Sequence, residues 1–415
     1  MSFDRVSVIG LGYIGLPTAA VLAASGTVKV LGIDVNPHII DTVNSGSIHI
    51  VEPLLHKVVQ DAVASGQLRA SLVTEPCDAF MIAVPTPVTS ERKSDLRFVF
   101  AAADSIAPVL KRGDLVVLES TSPVGTTEQL AARLAEKRPD LIFPSRDGPA
   151  ADIYLAYCPE RVLPGKVVEE LVSNDRAIGG ITAACTARAT ALYDLFVKGE
   201  LVATTARAAE LCKLAENAFR DVNIAYANEL ANVCKVHDID VFEVIAISNR
   251  HPRVKILNPG PGVGGHCIAV DPWFIVESAP EDTPLIRAAR QVNDGRPRRI
   301  ADEVNTLVAS IAKPVIACLG LSFKADIDDI RESPAVEVTE LLAAAHPGSL
   351  LVVEPHIEIL PDSLSAQGVR KVDLTEALTV ADVVVVLVDH AAFKTERVRI
   401  AAAPRTVDPR GMLSV

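Results

Sequence analysis

Through the first 200 residues, short β-branched and aliphatic runs alternate with longer stretches of helical character. The runs Val6–Ile9, Val28–Ile33, Ala79–Val84, Leu115–Glu119 and Ile153–Tyr157 are read as strands, the first four closed by Gly, Asp, Pro or Ser and the last by Cys158-Pro159. Alternation of this kind predicts a parallel sheet covered by helices. Ligands of such sheets bind beyond the carboxyl ends of the strands, so the closing residues matter most. Between Ala206 and Val236 there is neither Gly nor Pro, and Ala, Leu and Glu dominate. That stretch predicts one helix, far longer than the usual 11–12 residues or so. A loop rich in Pro and Gly follows, Asn258–His266, and from Pro314 the alternation resumes. The later strands are expected at Pro314–Leu319, Leu350–Val353 and Val383–Val388. The expected fold class is α/β, with two doubly wound domains joined by a long central helix and a helical region. The division falls at residues 1–203, 204–300 and 301–415.

A length of 415 residues is consistent with two or three domains, and an apolar fraction of 49% is ample for large cores. Aromatics are only 4%, so aliphatic side chains and alanine must do most of the packing. The net charge of -12, with no basic run, makes a nucleic-acid partner a poor fit, because phosphate backbones need clustered Lys and Arg. An anionic ligand must instead meet local positive charge. The seven cysteines are odd in number and include no C-x-x-C pair, which argues against a disulfide framework or a zinc ribbon. No metal site is expected. A reducing compartment in which one thiol is reactive fits better. The start of the chain, with Asp4 and Arg5 before a short apolar run, lacks a signal-peptide layout. No apolar run reaches the roughly 18 residues of a membrane span. A cytoplasmic protein without a membrane partner is expected.

Gly10-Leu11-Gly12-Tyr13-Ile14-Gly15 directly follows the first strand and opens a helix. Glycines there permit a tight turn and bring backbone N–H groups to a pyrophosphate at the helix start. The motif alone is weak. Here Asp34 closes the next strand, where an acid accepts hydrogen bonds from an adenosine ribose and repels the 2′-phosphate of NADP. The expected cofactor is therefore NAD, held by a Rossmann-like domain. Two further strand ends are candidates to complete the site: Val84-Pro85-Thr86-Pro87 and Ser120-Thr121-Ser122-Pro123-Val124-Gly125-Thr126-Thr127. The second also reads as a helix start, with hydroxyls and N–H groups expected to be available for phosphate or water; plain capping explains the same residues.

On the long helix, Glu210, Lys213, Asn217 and Arg220 are spaced by three and four and share one face. A solvated face is the ordinary reading of such a stripe. The loop that follows shifts the balance. His251-Pro252-Arg253 leads to Pro259-Gly260-Pro261-Gly262-Val263-Gly264-Gly265-His266-Cys267, with Asp271 four residues on. Glycines this dense allow close backbone approach to a ligand, and a cysteine at the end of such a loop is placed for chemistry rather than packing. A thiol beside a nicotinamide suggests oxidation of an alcohol to an aldehyde, capture as a thiohemiacetal, a second oxidation to a thioester, and hydrolysis to an acid. Lys213 would exchange the alcohol proton and Asn217 would donate to the oxyanion. Glu160, in Tyr157-Cys158-Pro159-Glu160-Arg161, is the candidate for guiding water, with Thr121 beside it. Arg161, Arg220, Arg253 and Lys324 are candidate phosphate anchors.

Taken together, the motifs resemble the UDP-glucose/GDP-mannose dehydrogenase family over essentially the whole chain. The resemblance rests on Gly10–Pro17, Ser120–Thr127, Tyr157–Arg161, Lys213 with Asn217, Gly264–Cys267, and Phe323-Lys324 through Asp328–Pro334. The stretches His251–Val254 and Pro259–Phe274 resemble its UDP-N-acetyl-D-mannosamine dehydrogenase branch, although Lys255 and Ser322 stand where Asn and Ala are usual. The resemblance implies Cys267 as nucleophile and Lys213 as proton donor and acceptor. It implies NAD contacts from Tyr13, Ile14, Asp34, Thr86, Thr127 and Arg331. It implies a UDP-sugar held by Arg161, Val162, Asn217, Arg220, His251, Arg253, Gly264, Phe323 and Lys324. The three segments would be an NAD-binding domain, a central dimerisation domain and a nucleotide-sugar-binding domain. The middle helix would form the core of a homodimer, with the Arg253 segment reaching the partner's site. The implied product is UDP-N-acetyl-D-mannosaminuronate, a surface polysaccharide precursor, at two NAD per sugar.

Three other readings stay open at this level. The same chemistry could act on UDP-N-acetylglucosamine or UDP-glucose. A two-electron hydroxyacid dehydrogenase would not need Cys267. A non-catalytic NAD or nucleotide-sugar sensor would have no use for Lys213, Asn217 and Cys267 together.

Overall fold

The structure is a computed structural model and describes residues 3–89, 91–145, 148, 150–163, 165–265 and 267–414. The chain divides into two compact units, Met1–Glu216 with Trp273–Ala279, and Asn217–Pro272 with Pro280–Val415.

The first unit is built on an eight-stranded sheet. Its strands are β1 (Arg5–Ile9), β2 (Lys29–Ile33), β3 (Leu68–Ser71), β4 (Ala79–Ile82), β5 (Leu115–Leu118), β6 (Tyr154–Tyr157), β7 (Arg176–Gly180) and β8 (Leu201–Thr205). They lie in the order β3-β2-β1-β4-β5-β6-β7-β8. Successive side chains of each inner strand feed opposite faces, as the period of two requires. Val6, Val8, Leu115 and Val117 enter one core, whereas Ile9, Val116 and Leu118 enter the other. Burial on both faces is why these runs are apolar throughout rather than alternating. The helix Gly15–Ala24 lies on the first of these cores, and Ala19, Ala20 and Ala23 are buried in it. The parallel expectation needs one amendment: β6 pairs antiparallel with β7, and β8 then runs parallel to β7. Strand–helix alternation constrains which elements occur, not the direction of every return.

The second unit carries a five-stranded, wholly parallel sheet. Its strands are β9 (Ile316–Leu319), β10 (Leu350–Val353), β11 (Arg370–Lys371), β12 (Val383–Val386) and β13 (Thr406–Val407), in the order β11-β10-β9-β12-β13. The same two-sided filling recurs. Ile316, Cys318, Val383 and Val385 face one core, and Ala317, Leu319, Val384 and Val386 face the other. In both sheets the first strand is third in the order and the winding reverses beside it, between β1 and β4 and between β9 and β12. A crevice opens at such a switch point, beyond the strand carboxyl ends. The fold class is α/β with Rossmann-like parallel-sheet domains, as expected.

The long helix spans Ala206–Val236, and its residues from Asn217 onward belong to the second unit. Three asparagines of that part hold the loop after it. Asn223 donates to the Lys255 carbonyl (2.9 Å) and accepts the Leu257 N–H (2.9 Å). The buried Asn228 accepts the Gly260 N–H (2.9 Å) and donates to Asn293 (2.9 Å). Asn217 donates to Asp271 (2.6 Å). No helix among the described residues is long and apolar enough to cross a membrane.

Candidate active site

The dinucleotide turn of the first unit has three glycines with three different jobs. Gly10 sits at φ +91°, and a Cβ there would lie 2.6 Å from the Ala83 carbonyl oxygen. A Cβ on Gly15 would lie 1.7 Å from the Gly10 carbonyl oxygen, so the helix can start this close to β1 only without one. At Gly12 the Cβ position has no neighbour within 4 Å, which leaves the backbone open to a pyrophosphate. Asp34, just past β2, accepts the Leu11 N–H (2.9 Å) and the Asn36 N–H (2.9 Å). Its carboxylate is thereby fixed beside the glycine turn. Tyr13 is exposed and Ile14 half-buried. These features fit NAD.

The other two strand ends meet the same edge. The Thr86 hydroxyl donates to the Thr121 carbonyl (2.6 Å), and the Ser120 hydroxyl donates to the Val84 carbonyl (2.7 Å). One expectation is corrected here. The N–H groups at the start of the helix Thr126–Lys137 are not available to a phosphate. Buried Glu210 accepts from the Gly125 N–H (2.6 Å), the Thr127 N–H (2.8 Å) and the Thr127 hydroxyl (2.6 Å). A carboxylate is the natural occupant of a helix start, where unpaired donors and the helix dipole favour negative charge. Burial pushes the Glu210 carboxyl above its ordinary range, while the Thr127 and Gly125 donors pull the other way. Glu210 therefore leaves the solvated stripe in which its spacing had placed it.

Glu160 is also committed. Its oxygens accept the Arg161 N–H (2.6 Å) and the guanidinium of buried Arg176 (2.5 Å). The Glu160 carbonyl accepts from Lys213 Nζ (2.8 Å), which ties two members of the candidate set together. Arg161 donates to Glu216 (2.7 Å) and to the Asp175 carbonyl (2.5 Å), and Val162 is half-buried.

In the second unit the glycine-dense loop folds against the Phe323–Pro334 segment. A Cβ on Gly264 would lie 2.4 Å from the Glu332 carbonyl oxygen and 2.9 Å from Phe323 Cβ. Gly265, at φ +79°, meets the Phe323 ring in the same way, and its N–H donates to the Arg331 carbonyl (3.2 Å). His266 lies outside the described residues. Cys267 is half-buried, and its carbonyl accepts the N–H groups of Val270 (3.0 Å) and Asp271 (2.8 Å) at the start of the helix Asp271–Ser278. Buried Asp271 receives the Asn217 amide. Thus Asn217, Asp271 and Cys267 form one hydrogen-bonded group, and Gly264, three positions before that cysteine, packs on Phe323. Arg220, His251, Arg253, Lys324 and Arg331 are exposed. The Arg253 N–H donates to His251 Nδ1 (3.4 Å), and the Arg331 guanidinium grips Asp329 (2.9 and 2.5 Å).

The spacing pattern missed the residues that hold this loop. Fully buried Asp221 accepts from Arg290 (2.6 Å) and Asn293 (2.8 Å), and Arg296 donates to the Gly260 carbonyl (3.0 Å). Asp221 lies four residues beyond Asn217, so the polar stripe on the helix was the signal that could have found it.

The chain matches the NAD binding domain of the UDP-glucose/GDP-mannose dehydrogenase family over residues 4–197, its central domain over 207–295 and its UDP binding domain over 317–415. It is 57% identical to an NDP-N-acetyl-D-galactosaminuronic acid dehydrogenase of Ralstonia nicotianae, covering 100% of this chain and 97% of that protein. It is likewise 57% identical to the UDP-N-acetyl-D-mannosamine dehydrogenase of Escherichia coli K12, covering 95% of each. Among solved structures, a UDP-D-ManNAc dehydrogenase from Pyrococcus horikoshii aligns with a TM-score of 0.88 at 36% identity, over 98% of this chain and 96% of that one. The UDP-N-acetyl-mannosamine dehydrogenase of Staphylococcus aureus aligns with a TM-score of 0.85 at 40% identity, over 99% and 96%.

A dinucleotide turn of this geometry on a parallel sheet, in a chain with these relatives, defines an NAD-dependent dehydrogenase acting on nucleotide sugars. The chain belongs to the UDP-glucose/GDP-mannose dehydrogenase family.

Proposed function

We propose that this enzyme oxidises the C6 alcohol of UDP-N-acetyl-D-mannosamine to the carboxylate of UDP-N-acetyl-D-mannosaminuronate. It does so in the cytoplasm, as a homodimer, to supply surface polysaccharide synthesis. Residues 1–203 bind NAD, 204–300 carry the catalytic helix and the dimer contact, and 301–415 bind the nucleotide. The observation that supports the reading is that the Cys267 backbone is tied through Asp271 to Asn217, while the glycines just before this cysteine pack on Phe323 of the UDP binding domain.

NAD would supply the hydride acceptor for each oxidation, a second NAD replacing the NADH left by the first. Lys213 takes the alcohol proton in the first. The Cys267 thiolate adds to the resulting aldehyde carbon, and the hemiacetal oxygen is met by an Asn217 N–H; an amide has two such donors, and Asp271 takes one. Loss of a second hydride leaves a thioester. Water cleaves the C–S bond, releasing the acid and restoring the thiolate. Thr121, Glu160 and Asp271 complete the proposed catalytic set. Tyr13, Asp34, Thr86, Thr127 and Arg331 are the proposed NAD contacts. Arg161, Arg220, His251, Arg253, Phe323 and Lys324 are the proposed nucleotide-sugar contacts.

A second reading has a specific observation behind it. The relative named for N-acetyl-D-galactosaminuronic acid is as similar as the one named for N-acetyl-D-mannosamine, at 57% identity each. The deciding measurement is NADH formed per mole of sugar nucleotide, run with the UDP-linked N-acetyl derivatives of mannosamine, galactosamine and glucosamine and with UDP-glucose. Two NADH per UDP-N-acetyl-D-mannosamine, with the highest kcat/KM, is expected; a higher kcat/KM for the galactosamine compound transfers the assignment. Cys267→Ser is expected to lower net turnover at least a thousandfold while NAD affinity stays within twofold. Wild-type turnover by that variant would eliminate the covalent route.

A further inference from the structure

Beneath the Phe323–Lys324 segment lies a buried polar cluster that the proposed chemistry does not use. Glu354 follows β10 and His390 follows β12 by a few residues, and both are buried, at 2% and 0% exposure. Glu354 Oε2 accepts the N–H groups of Leu321 (2.6 Å) and Ser322 (3.4 Å), and its Oε1 accepts that of His356 (2.8 Å). His390 Nδ1 accepts the Asp326 N–H (2.9 Å). The ring proton must then sit on Nε2, which faces Glu354 Oε2 (3.3 Å) and Ser322 Oγ (3.4 Å). Ser322 Oγ in turn donates to the Lys324 carbonyl (2.6 Å). Asp326, at φ +61°, is held from the other side by the Ala391 N–H, which donates to Oδ1 (2.9 Å).

Four backbone groups between Leu321 and Asp326 therefore end on this cluster. Asp326 and Glu332 (φ +50°) both adopt the left-handed conformation within the same segment. Non-glycine residues persist there only where surrounding bonds over-determine them. Burial pushes the Glu354 carboxyl up, but the His390 side chain and the His356 and Leu321 N–H groups outweigh it and hold the carboxyl below its ordinary value. Asp326, His356 and His390 lie close enough to share a cation. A metal on His390 Nδ1 would, however, orphan the Asp326 N–H, so the bonding favours a brace over a metal site.

We infer that Glu354 and His390 are positioning residues for the nucleotide sugar: they hold the Ser322–Asp326 backbone so that Phe323 and Lys324 meet the nucleotide in one orientation. The inference rests on the reading of Phe323 and Lys324 as substrate contacts. A fixed launching point for a flexible lysine reduces the ordering that binding would otherwise demand. Weakening it removes binding common to ground and transition states, so KM rises and kcat does not fall.

The test uses the full chain, with UDP as probe by calorimetry and the sugar nucleotide in steady-state assays. His390→Phe keeps a ring against Phe393, whose centroid is 5.4 Å away, and removes the hydrogen bonds. It is expected to weaken UDP about tenfold and raise the sugar-nucleotide KM by the same factor, with kcat and the NAD KM within twofold. His390→Asn, whose Oδ1 can take the place of Nδ1, is expected to recover most of the loss. Glu354→Gln, which turns one acceptor oxygen into a donor at unchanged volume, is expected to act like His390→Phe and serves if that variant does not fold. In a Lys324→Ala background the effect of His390→Phe should largely vanish. If Lys324→Ala weakens UDP while folded His390→Phe and Glu354→Gln both bind it normally, the brace is overturned and the substrate reading stands. If Lys324→Ala itself leaves UDP affinity unchanged, the substrate reading of this segment fails and takes the brace with it.

Discussion

Glu119, directly after β5, is buried at 3% exposure. Its Oε1 accepts from the Tyr193 hydroxyl (2.6 Å), and its Oε2 has no partner among the described residues. Burial pushes its carboxyl up to about 7; Glu160 adds to the rise, whereas the Tyr193 hydroxyl and Arg176 oppose it. An unfolded chain releases the same proton near pH 4.5 or so. The folded state thus holds a proton that the unfolded state has lost, and the stabilisation is complete below the unfolded value and disappears as pH rises through about 7. Glu119→Gln keeps an acceptor for Tyr193 and has no proton to lose. The melting temperature of the variant minus that of the wild type is expected to climb by several degrees between pH 5 and pH 8.5, with the variant ahead at the upper end. A difference constant across that range would mean that Glu119 is not the titrating group. The residues of the candidate site were legible in the chain where chemistry dictates type and spacing: the glycines of the first turn, Asp34, and a cysteine after Gly264-Gly265. Residues such as Asp221, Arg290, Glu354 and His390 were not, because each acts through partners from 30 to 70 or so positions away.

At the scale of elements, the helix Ala206–Val236 and β10 at Leu350–Val353 occur with the bounds that the apolar pattern predicts, because each lacks competing signals inside it and is closed by turn residues. Five strands escaped prediction, β3, β7, β8, β11 and β13, because none shows a long apolar run. β3 alternates as Leu-Arg-Ala-Ser, β8 is largely exposed, β11 and β13 are two residues each, and β7 is buried but begins with Arg176 and ends in two glycines. Their pairing comes from neighbours already in place. Glu210 joins two such elements, since it stands on the long helix and closes the start of Thr126–Lys137 with three hydrogen bonds. Glu210→Ala leaves those buried donors unmet, at a cost of about 2–4 kcal/mol. Amide exchange at Gly125 and Thr127 should accelerate about 30-fold or more, with Glu210→Gln intermediate. Unchanged protection at these amides in the alanine variant would show that the helix start does not depend on Glu210.

For the whole molecule, three of the five large exposed apolar residues of the long helix recur at a regular interval, Leu211 and Val236 standing outside it. Phe219 is 68% exposed, Tyr226 54% and Val233 54%, each seven positions from the next. Half-buried Val222 and Leu230 lie between them on the same face. Seven residues is close to two helical turns, so these side chains form a continuous stripe. Three large hydrophobes left in water cost stability with no return within one chain, whereas in the proposed homodimer the stripe would be covered by its own copy about a two-fold axis. Such a contact would use the length of the helix: a helix of ordinary length would present only one or two of these positions. The proposed dimer therefore depends on this face, and Phe219→Asp combined with Tyr226→Asp is expected to halve the sedimentation mass at micromolar concentration while far-ultraviolet circular dichroism is retained. The family resemblance implies that the Arg253 segment reaches the partner's site, so activity should fall with dimer content and be restored as protein concentration rises. A double variant that sediments as a dimer would place the self-contact on another surface; one that is monomeric yet fully active would free the catalytic site from any dependence on a second copy.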